Sequence, residues 1–401
     1  GASPAGRAEA EAAAEAEGFP TPKGYDYAKC HMDSSPCDLK TLDGPTLVYP
    51  GGETVCFDGS AYAFAVVPGD ADKVLFYFEG GGACWELDGN VVESCTQGLK
   101  SSAGNSGYGH GVQKMSDPRN PFKAYTVVEA LYCTGDAFIG NTTQLWKGEH
   151  RPQRGYLNAK AILDWATTNF GTLSSLVVSG FSAGALGTMA WAGSIIERLP
   201  SRQASVLCDS YAGVFPPYTQ GTIFKEWGSC DTGLLSPALA AHCNAGDLSM
   251  SLVFEETMRS NPDVPFANIQ SKYDGTQLWF YQQVAASNMM PDHEQLNWME
   301  FYKLTVKLFE EYESAFPNYS VFFVNDGLHC YTEDGAFYTA STLGAANPDG
   351  TLLYEWVDEF VNGKAASSAC SGMLGSLAAF TNESQEYCSE QLSKAVVVLR
   401  K

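Results

Sequence analysis

Residues 176–191 read Leu-Val-Val-Ser-Gly-Phe-Ser-Ala-Gly-Ala-Leu-Gly-Thr-Met-Ala-Trp. β-Branched apolar residues lead into Gly180-x-Ser182-x-Gly184, and small, helix-forming residues follow. Few folds accept that order. A strand buried on both faces must end, turn sharply and enter a helix within a few residues, which is the connection of a parallel sheet layered with helices. Glycines two residues either side of the serine let neighbouring backbone pass where a Cβ would clash. The turn predicts a strained backbone at Ser182, a hydroxyl standing clear of the chain, and the Ala183 N–H beside it at the helix N-terminus. In a chain with 40 glycines the motif carries weight only through this strand-and-helix context. The competing reading is a Gly-rich turn with no chemical role.

No charged residue lies between Thr172 and Ile196, a stretch long enough to raise the question of a membrane span. Ser174, Ser175, Ser179, Ser182 and Ser194 make it polar for a lipid-facing helix, and no Lys/Arg cluster flanks it. A buried strand followed by a buried helix has the same hydropathy, so no membrane span and a soluble chain are expected.

Apolar runs at Ala61–Val67, Lys73–Glu79, Tyr125–Leu131, 175–179, Val206–Cys208, Ala267–Lys272 and Tyr319–Val324 predict strands. Helical spacing covers Gly155–Phe170, 184–198, roughly 275–287 and roughly 294–314. Strand and helix alternate, which predicts an α/β fold: a mostly parallel central sheet with helices on both faces and loop or helical insertions. At 401 residues and 45% hydrophobic, the chain can bury a large core, and no linker divides it. One domain over 19–401 is expected, after an Ala/Glu-rich extension, 1–18, expected to be disordered or frayed.

A net charge of −22 opposes nucleic acid and anionic lipid surfaces as partners. It also weighs against highly charged polyanionic substrates. Twelve cysteines without a C-x-x-C pair fit disulfides in an oxidising compartment better than zinc. Local candidates are Cys84–Cys95, Cys230–Cys243 and Cys370–Cys388. Sequons at Asn141, Asn318 and Asn382 are compatible with secretion, and a start other than Met points to a mature or trimmed form. No metal and no cofactor are expected, and a monomer is.

A serine nucleophile needs a base, and the base an orienting acid, in the chain order Ser, Asp or Glu, His for this type of turn. Three histidines follow Ser182. His242 sits in a Cys-rich insertion, and His293 at the start of a polar helix, where a solvated side chain is usual. His329 stands just past strand 319–324, at its carboxyl end, and is the candidate base. Asp274, directly after strand 267–272 and before a helix, is the favoured acid; its other reading is a helix N-cap. Asp209, after Val206–Cys208, is the rival, and Asp326 reads as a turn-shaping residue. Phe78-Glu-Gly80-Gly81-Gly82-Ala-Cys84-Trp85 follows a buried strand, and its glycines can turn successive N–H groups toward an oxyanion. A phosphate cradle would want Gly-Lys-Ser/Thr or a G-x-G-x-x-G opening a helix, and neither is present.

Phe-Glu-Gly-Gly-Gly-Ala-Cys-Trp (78–85), Tyr-Cys-Thr-Gly-Asp-Ala-Phe-Ile-Gly (132–140), Ser-Gly-Phe-Ser-Ala-Gly-Ala (179–185), Tyr-Asp-Gly-Thr-Gln (273–277) and His-Cys (329–330) together resemble the pectin acetylesterase and Notum family of carboxylesterases. The resemblance runs from about residue 57 to about 331 and implies an α/β-hydrolase-like fold. It implies Ser182 as nucleophile, Asp274 as acid, His329 as base, and Gly81, Gly82 and Ala183 as oxyanion-hole donors. It makes 132–140 the active-site floor, with Asp136 structural or substrate-contacting. Phe181 stands where the plant members have Cys, and Gly82 where Notum carries a bulky aromatic. The function so implied is a secreted serine carboxylesterase acting on acetyl or other short-chain O-acyl esters of a small-molecule or polysaccharide substrate. An acyltransferase, a longer-chain deacylase, a serine peptidase and a non-catalytic glycan- or lipid-binding protein are the alternatives. Aromatic residues between 213 and 267 (Phe215, Tyr218, Phe224, Trp227, Phe254) are either an apolar wall for a longer acyl chain or ordinary core.

Overall fold

The computed structural model describes residues 27–95, 107–363 and 367–370. The extension 1–18, the Asn382 sequon and Cys388, with its expected pairing to Cys370, lie outside them. In chain order the first strands are β1 (Ala28–His31), β2 (Thr46–Tyr49), β3 (Phe64–Val67), β4 (Asp70–Phe78), β5 (Cys84–Leu87) and β6 (Asn90–Glu93). They are followed by β7 (Tyr125–Ala130), β8 (Thr142–Trp146), β9 (Glu149–Gln153), β10 (Ser175–Phe181), β11 (Ala204–Asp209), β12 (Phe266–Ser271) and β13 (Tyr319–Val324). Nine of them form one sheet in the order β1-β2-β3-β7-β4-β10-β11-β12-β13. Only β2–β3 and β3–β7 pair antiparallel within it. This is the mostly parallel sheet of an α/β-hydrolase-like fold.

The strands read as unbroken apolar runs because successive side chains enter different cores. Val74, Phe76 and Phe78 of β4 join one buried cluster while Leu75 and Tyr77 join the other. Val321 and Phe323 of β13 alternate with Phe322 and Val324 in the same way. The described helices are α1 (Gly155–Asn169), α2 (Ala183–Arg198), α3 (Gln220–Glu226), α4 (Pro237–Ala245), α5 (Met250–Ser260), α6 (Gly275–Ser287), α7 (Pro291–Glu294), α8 (Trp298–Ala315) and α9 (Leu353–Val361). They are unevenly shared. Residues of α1 to α6 and α8 fill the first core, whereas α9 and the 107–125 segment cover the second.

Most expected elements fall within a few residues of their observed ends. Ala61–Val67 is shorter than expected, because Ala61 only bridges to Val55 and the ladder begins at Phe64. The helix expected from about 294 starts at Trp298. There the Asn297 side chain accepts from the Met299 and Glu300 N–H groups, and Glu300 accepts from the Asn297 N–H, a capping box that fixes the start. The two small hairpins, β5–β6 and β8–β9, were not expected. Both close on two-residue turns with positive φ, Asp88-Gly89 and Lys147-Gly148, the type that matches strand twist. Disulfides join Cys30–Cys37, Cys56–Cys133, Cys84–Cys95 and Cys230–Cys243, the last two as expected. No described helix is long and apolar enough to cross a membrane.

Candidate active site

Strand β10 lies between β4 and β11 and runs parallel to both, so its carboxyl end opens onto the crevice where ligands of such sheets bind. Ser182 follows it with φ 54° and ψ −122° and starts α2, its carbonyl accepting from the Ala185 and Leu186 N–H groups. That backbone is unfavourable for a residue with a Cβ, costing on the order of 1–3 kcal/mol. The flanking glycines make the turn fit. A Cβ on Gly180 would lie 2.5 Å from the Gly184 carbonyl oxygen, and one on Gly184 would lie 2.1 Å from that of Phe78.

The loop after β13 brings His329 over this turn. Its Nε2 lies 2.9 Å from the Ser182 Oγ, and its Nδ1 lies 2.8 Å from Oδ2 of Asp274, which is fully buried. Asp274 is also the N-cap of α6, its Oδ1 accepting from the Gln277 N–H at 2.9 Å. The two readings of Asp274 therefore hold together, one for each carboxylate oxygen. Gln277 was not singled out from the sequence. Its side chain donates to Oδ2 of Asp274 at 2.8 Å and accepts from the Ala212 N–H at 2.7 Å.

Asp209 does not touch His329. Its buried carboxylate accepts from the Tyr331 N–H (2.8 Å), the Thr332 N–H (2.7 Å) and the Thr332 hydroxyl (2.8 Å), and it holds Ser210, which accepts from the Cys330 N–H. The rival acid is thus the anchor of the histidine loop. Asp326 accepts from the Gly327 and Leu328 N–H groups and shapes the turn, as its spacing implied. His293 departs from expectation: it is partly buried, with Nδ1 2.7 Å from the Tyr281 hydroxyl. His242 pairs with Asp247 at the surface.

Burial pulls the His329 pKa down, but the Asp274 hydrogen bond and the charges of Asp274, Asp209 and Glu333 together carry it above its ordinary value. Glu333 itself is pushed up to about 7, first by burial and then by the charges of Asp209 and Asp334.

The segment Gly80–Gly82 passes beside the serine. A Cβ on Gly80 would meet the Phe181 ring at 2.6 Å, one on Gly81 the Tyr132 ring at 2.7 Å, and one on Gly82 the Ser94 Oγ at 2.6 Å. Gly81 and Gly82 also have φ of 152° and 75°, so both positions require glycine. Ser94 follows β6, so a bulky residue at 82 is excluded by the β5–β6 hairpin. Among the described residues, neither the Gly81 nor the Gly82 N–H donates to another protein group.

A pocket of about 70 Å³, partly open to solvent, is lined by Ser182, Gly82, Ala183 and His329 at one end. Trp85, Leu186, Ile223, Phe224, Trp227 and Phe280 make up much of its wall. Of the aromatic residues between 213 and 267, Phe215, Phe224 and Trp227 line it. Phe254 packs on Phe266 and Tyr312 in the core, and Tyr218 is 78% exposed.

Asp136 is fully buried away from the pocket, accepting from the Thr134 hydroxyl and from the Phe138 and Gly155 N–H groups. It holds the first N–H of α1, a favourable place for a carboxylate, and burial pushes its pKa up to about 6. No described group of three or more His, Cys, Asp or Glu side chains has the geometry to hold a metal ion.

The sequence profile of a family described as pectinacetylesterase matches residues 45–348, a span that takes in β2 through β13 and each site residue named above. Among curated proteins none matches the chain.

Proposed function

The chain belongs to the pectinacetylesterase family, and from that premise we propose that it is a secreted serine carboxylesterase that cleaves O-acyl esters through Ser182, His329 and Asp274. The observation that carries this reading is the single imidazole bridging Ser182 and Asp274, at 2.9 and 2.8 Å. With Nδ1–H donated to Asp274, Nε2 is free to accept the Ser182 proton as Oγ attacks the ester carbonyl. The N–H groups of Gly81, Gly82 and Ala183 stabilise the oxyanion. His329 returns the proton to the leaving alcohol, and water, activated by the same nitrogen, resolves the acyl-enzyme. Asp274 keeps the imidazole in the productive tautomer and stabilises its cation. The four disulfides among the described residues support passage through an oxidising compartment.

On acyl length there are two readings. Family membership supports acetyl or another short chain. The apolar wall of Trp85, Phe224, Trp227 and Phe280 supports a longer or aromatic acyl group, which would cover apolar side chains that an acetyl methyl leaves uncovered. Hydrolysis of p-nitrophenyl esters from acetate to palmitate by wild type and Ser182→Ala tests both. Activity lost in Ser182→Ala by on the order of 10⁴-fold or more supports the nucleophile, and the optimum along the ladder selects the acyl class. Equal rates in the two proteins would overturn the assignment.

A further inference from the structure

Tyr132 opens the 132–140 segment, and it is attached to the Gly80–Gly82 loop at several points. Its backbone N–H donates to Oε2 of Glu79 at 2.6 Å, and its hydroxyl donates to the Gly82 carbonyl at 2.9 Å. The same hydroxyl accepts from the Ala137 N–H at 2.9 Å. The ring lies where a Cβ on Gly81 would be, 2.7 Å from Cδ1, and stacks tilted against Phe138 at 4.9 Å between centroids. Tyr132 is only 2% exposed and is not among the residues lining the pocket.

A run of three glycines has more backbone freedom than any other tripeptide, and an oxyanion hole works only if its donors are aimed before the reaction. Fixing one residue's backbone costs about 1–2 kcal/mol, so a loop of glycines holds its aim only if something outside it does the holding. The Gly82 N–H belongs to the peptide between Gly81 and Gly82. Ring contact at Gly81 and a hydrogen bond at the Gly82 carbonyl restrain the units on either side of it.

We propose that Tyr132 is a positioning residue for the oxyanion loop, its hydroxyl locking the Gly82 carbonyl to the Ala137 N–H so that the Gly81 and Gly82 N–H groups are aimed at the developing oxyanion. The inference rests on the serine-esterase reading above. Burial, and after it the charge of Asp136, push the phenol pKa well up, so the hydroxyl stays a donor throughout the working range of an esterase.

Tyr132→Phe removes the lock and keeps the ring. Measured per active site, its kcat on a p-nitrophenyl ester falls about ten- to a hundredfold, the scale of a misplaced oxyanion donor, while KM stays within about threefold. Affinity for a trifluoromethyl ketone, whose hemiketal oxygen mimics the oxyanion, falls by the same factor as kcat/KM. The pH profile of kcat/KM keeps its shape, because the His329–Asp274 pair is untouched. A purely structural role would lower thermal stability and the active fraction with no parallel loss of the ketone. A kcat within twofold of wild type overturns the proposal. If Tyr132→Phe does not fold, 3-fluoro- and 3,5-difluorotyrosine at position 132 keep the shape and vary the phenol acidity; kcat that tracks acidity supports the lock, and a flat series overturns it. Ser182→Ala separates the two ideas: if that variant remains active the Ser182-nucleophile reading itself fails, whereas an inactive Ser182→Ala beside a normal Tyr132→Phe removes only the inference about Tyr132.

Discussion

The proposed base works only when neutral, so the environment of His329 sets the acid limit of activity. Its pKa lies above the ordinary histidine value of about 6.5, because the Asp274 hydrogen bond and the surrounding carboxylates outweigh burial. The kcat/KM of a neutral ester therefore rises with pH through a midpoint above that value. In Asp274→Asn the midpoint moves down and kcat falls on the order of 10⁴-fold, because the imidazole loses its partner and its tautomer. A pH–rate profile of both proteins checks the sign. The raised pKa also means that protonated His329 contributes stability below its unfolded-state pKa, and that this is lost as pH rises through the folded value. Ser182, Asp274 and His329 were legible in the sequence because each sits just past the carboxyl end of an apolar strand, where side chains of such folds meet. Tyr132, Gln277 and Asp209 act through hydrogen bonds to backbone or to another side chain, and no spacing rule announces those. Gln277 carried one signal, its place three residues after Asp274 at a helix start.

Among the elements, the β5–β6 hairpin shows how a small piece serves a large sheet. It carries Trp85 into the pocket wall, places Ser94 against Gly82 and is closed by Cys84–Cys95. Cys56–Cys133 instead spans 77 residues and ties the segment just after β7 to the chain before β3. In the chain-entropy account, removing a cross-link destabilises more when the loop is longer, about 4.5 kcal/mol for this bridge against about 3 kcal/mol for the 11-residue separation of Cys84–Cys95. Urea unfolding of the two Cys→Ser double variants checks the order. Loss of Cys84–Cys95 also loosens the Trp85 wall, so it lowers the rate on long acyl esters more than on acetate. The long strands and α1, α2, α6 and α8 were legible from periodicity. The hairpins were not, since strands of four or five residues hold too few side chains for a pattern, although Asp88-Gly89 is a turn signal in its own right.

At the scale of the whole molecule, the net charge of −22 faces whatever substrate approaches. Repulsion between the protein and a polygalacturonate backbone is long-ranged at low salt and falls away as the screening length shortens to about 8 Å near physiological ionic strength. If acetylated polygalacturonate is a substrate, its deacetylation speeds up as salt rises from about 10 to about 150 mM, through a lower KM, while a neutral acetyl ester shows no such change. Steady-state kinetics on both substrates across that range measures the effect, and equal salt profiles would show that the field at the site does not follow the net charge.

By itself the sequence determined the strand–turn–helix at Ser182, the alternation that makes the sheet parallel, the placement of Asp274 and His329 at strand ends, and two of the local disulfides. These follow from neighbours along the chain: periodicity, turn chemistry and short loops. Tertiary structure decided what depends on residues far apart in sequence. It separated Asp274 from Asp209, giving one to His329 and the other to the loop that carries His329. It sorted Phe215, Phe224 and Trp227 into the pocket and Phe254 into the core. It set Tyr132 beneath the glycines, a contact between segments some fifty residues apart whose chemistry is a hydroxyl, a carbonyl and a bare Cα. Such contacts leave no period in the sequence, because only the closed sheet brings their atoms within reach.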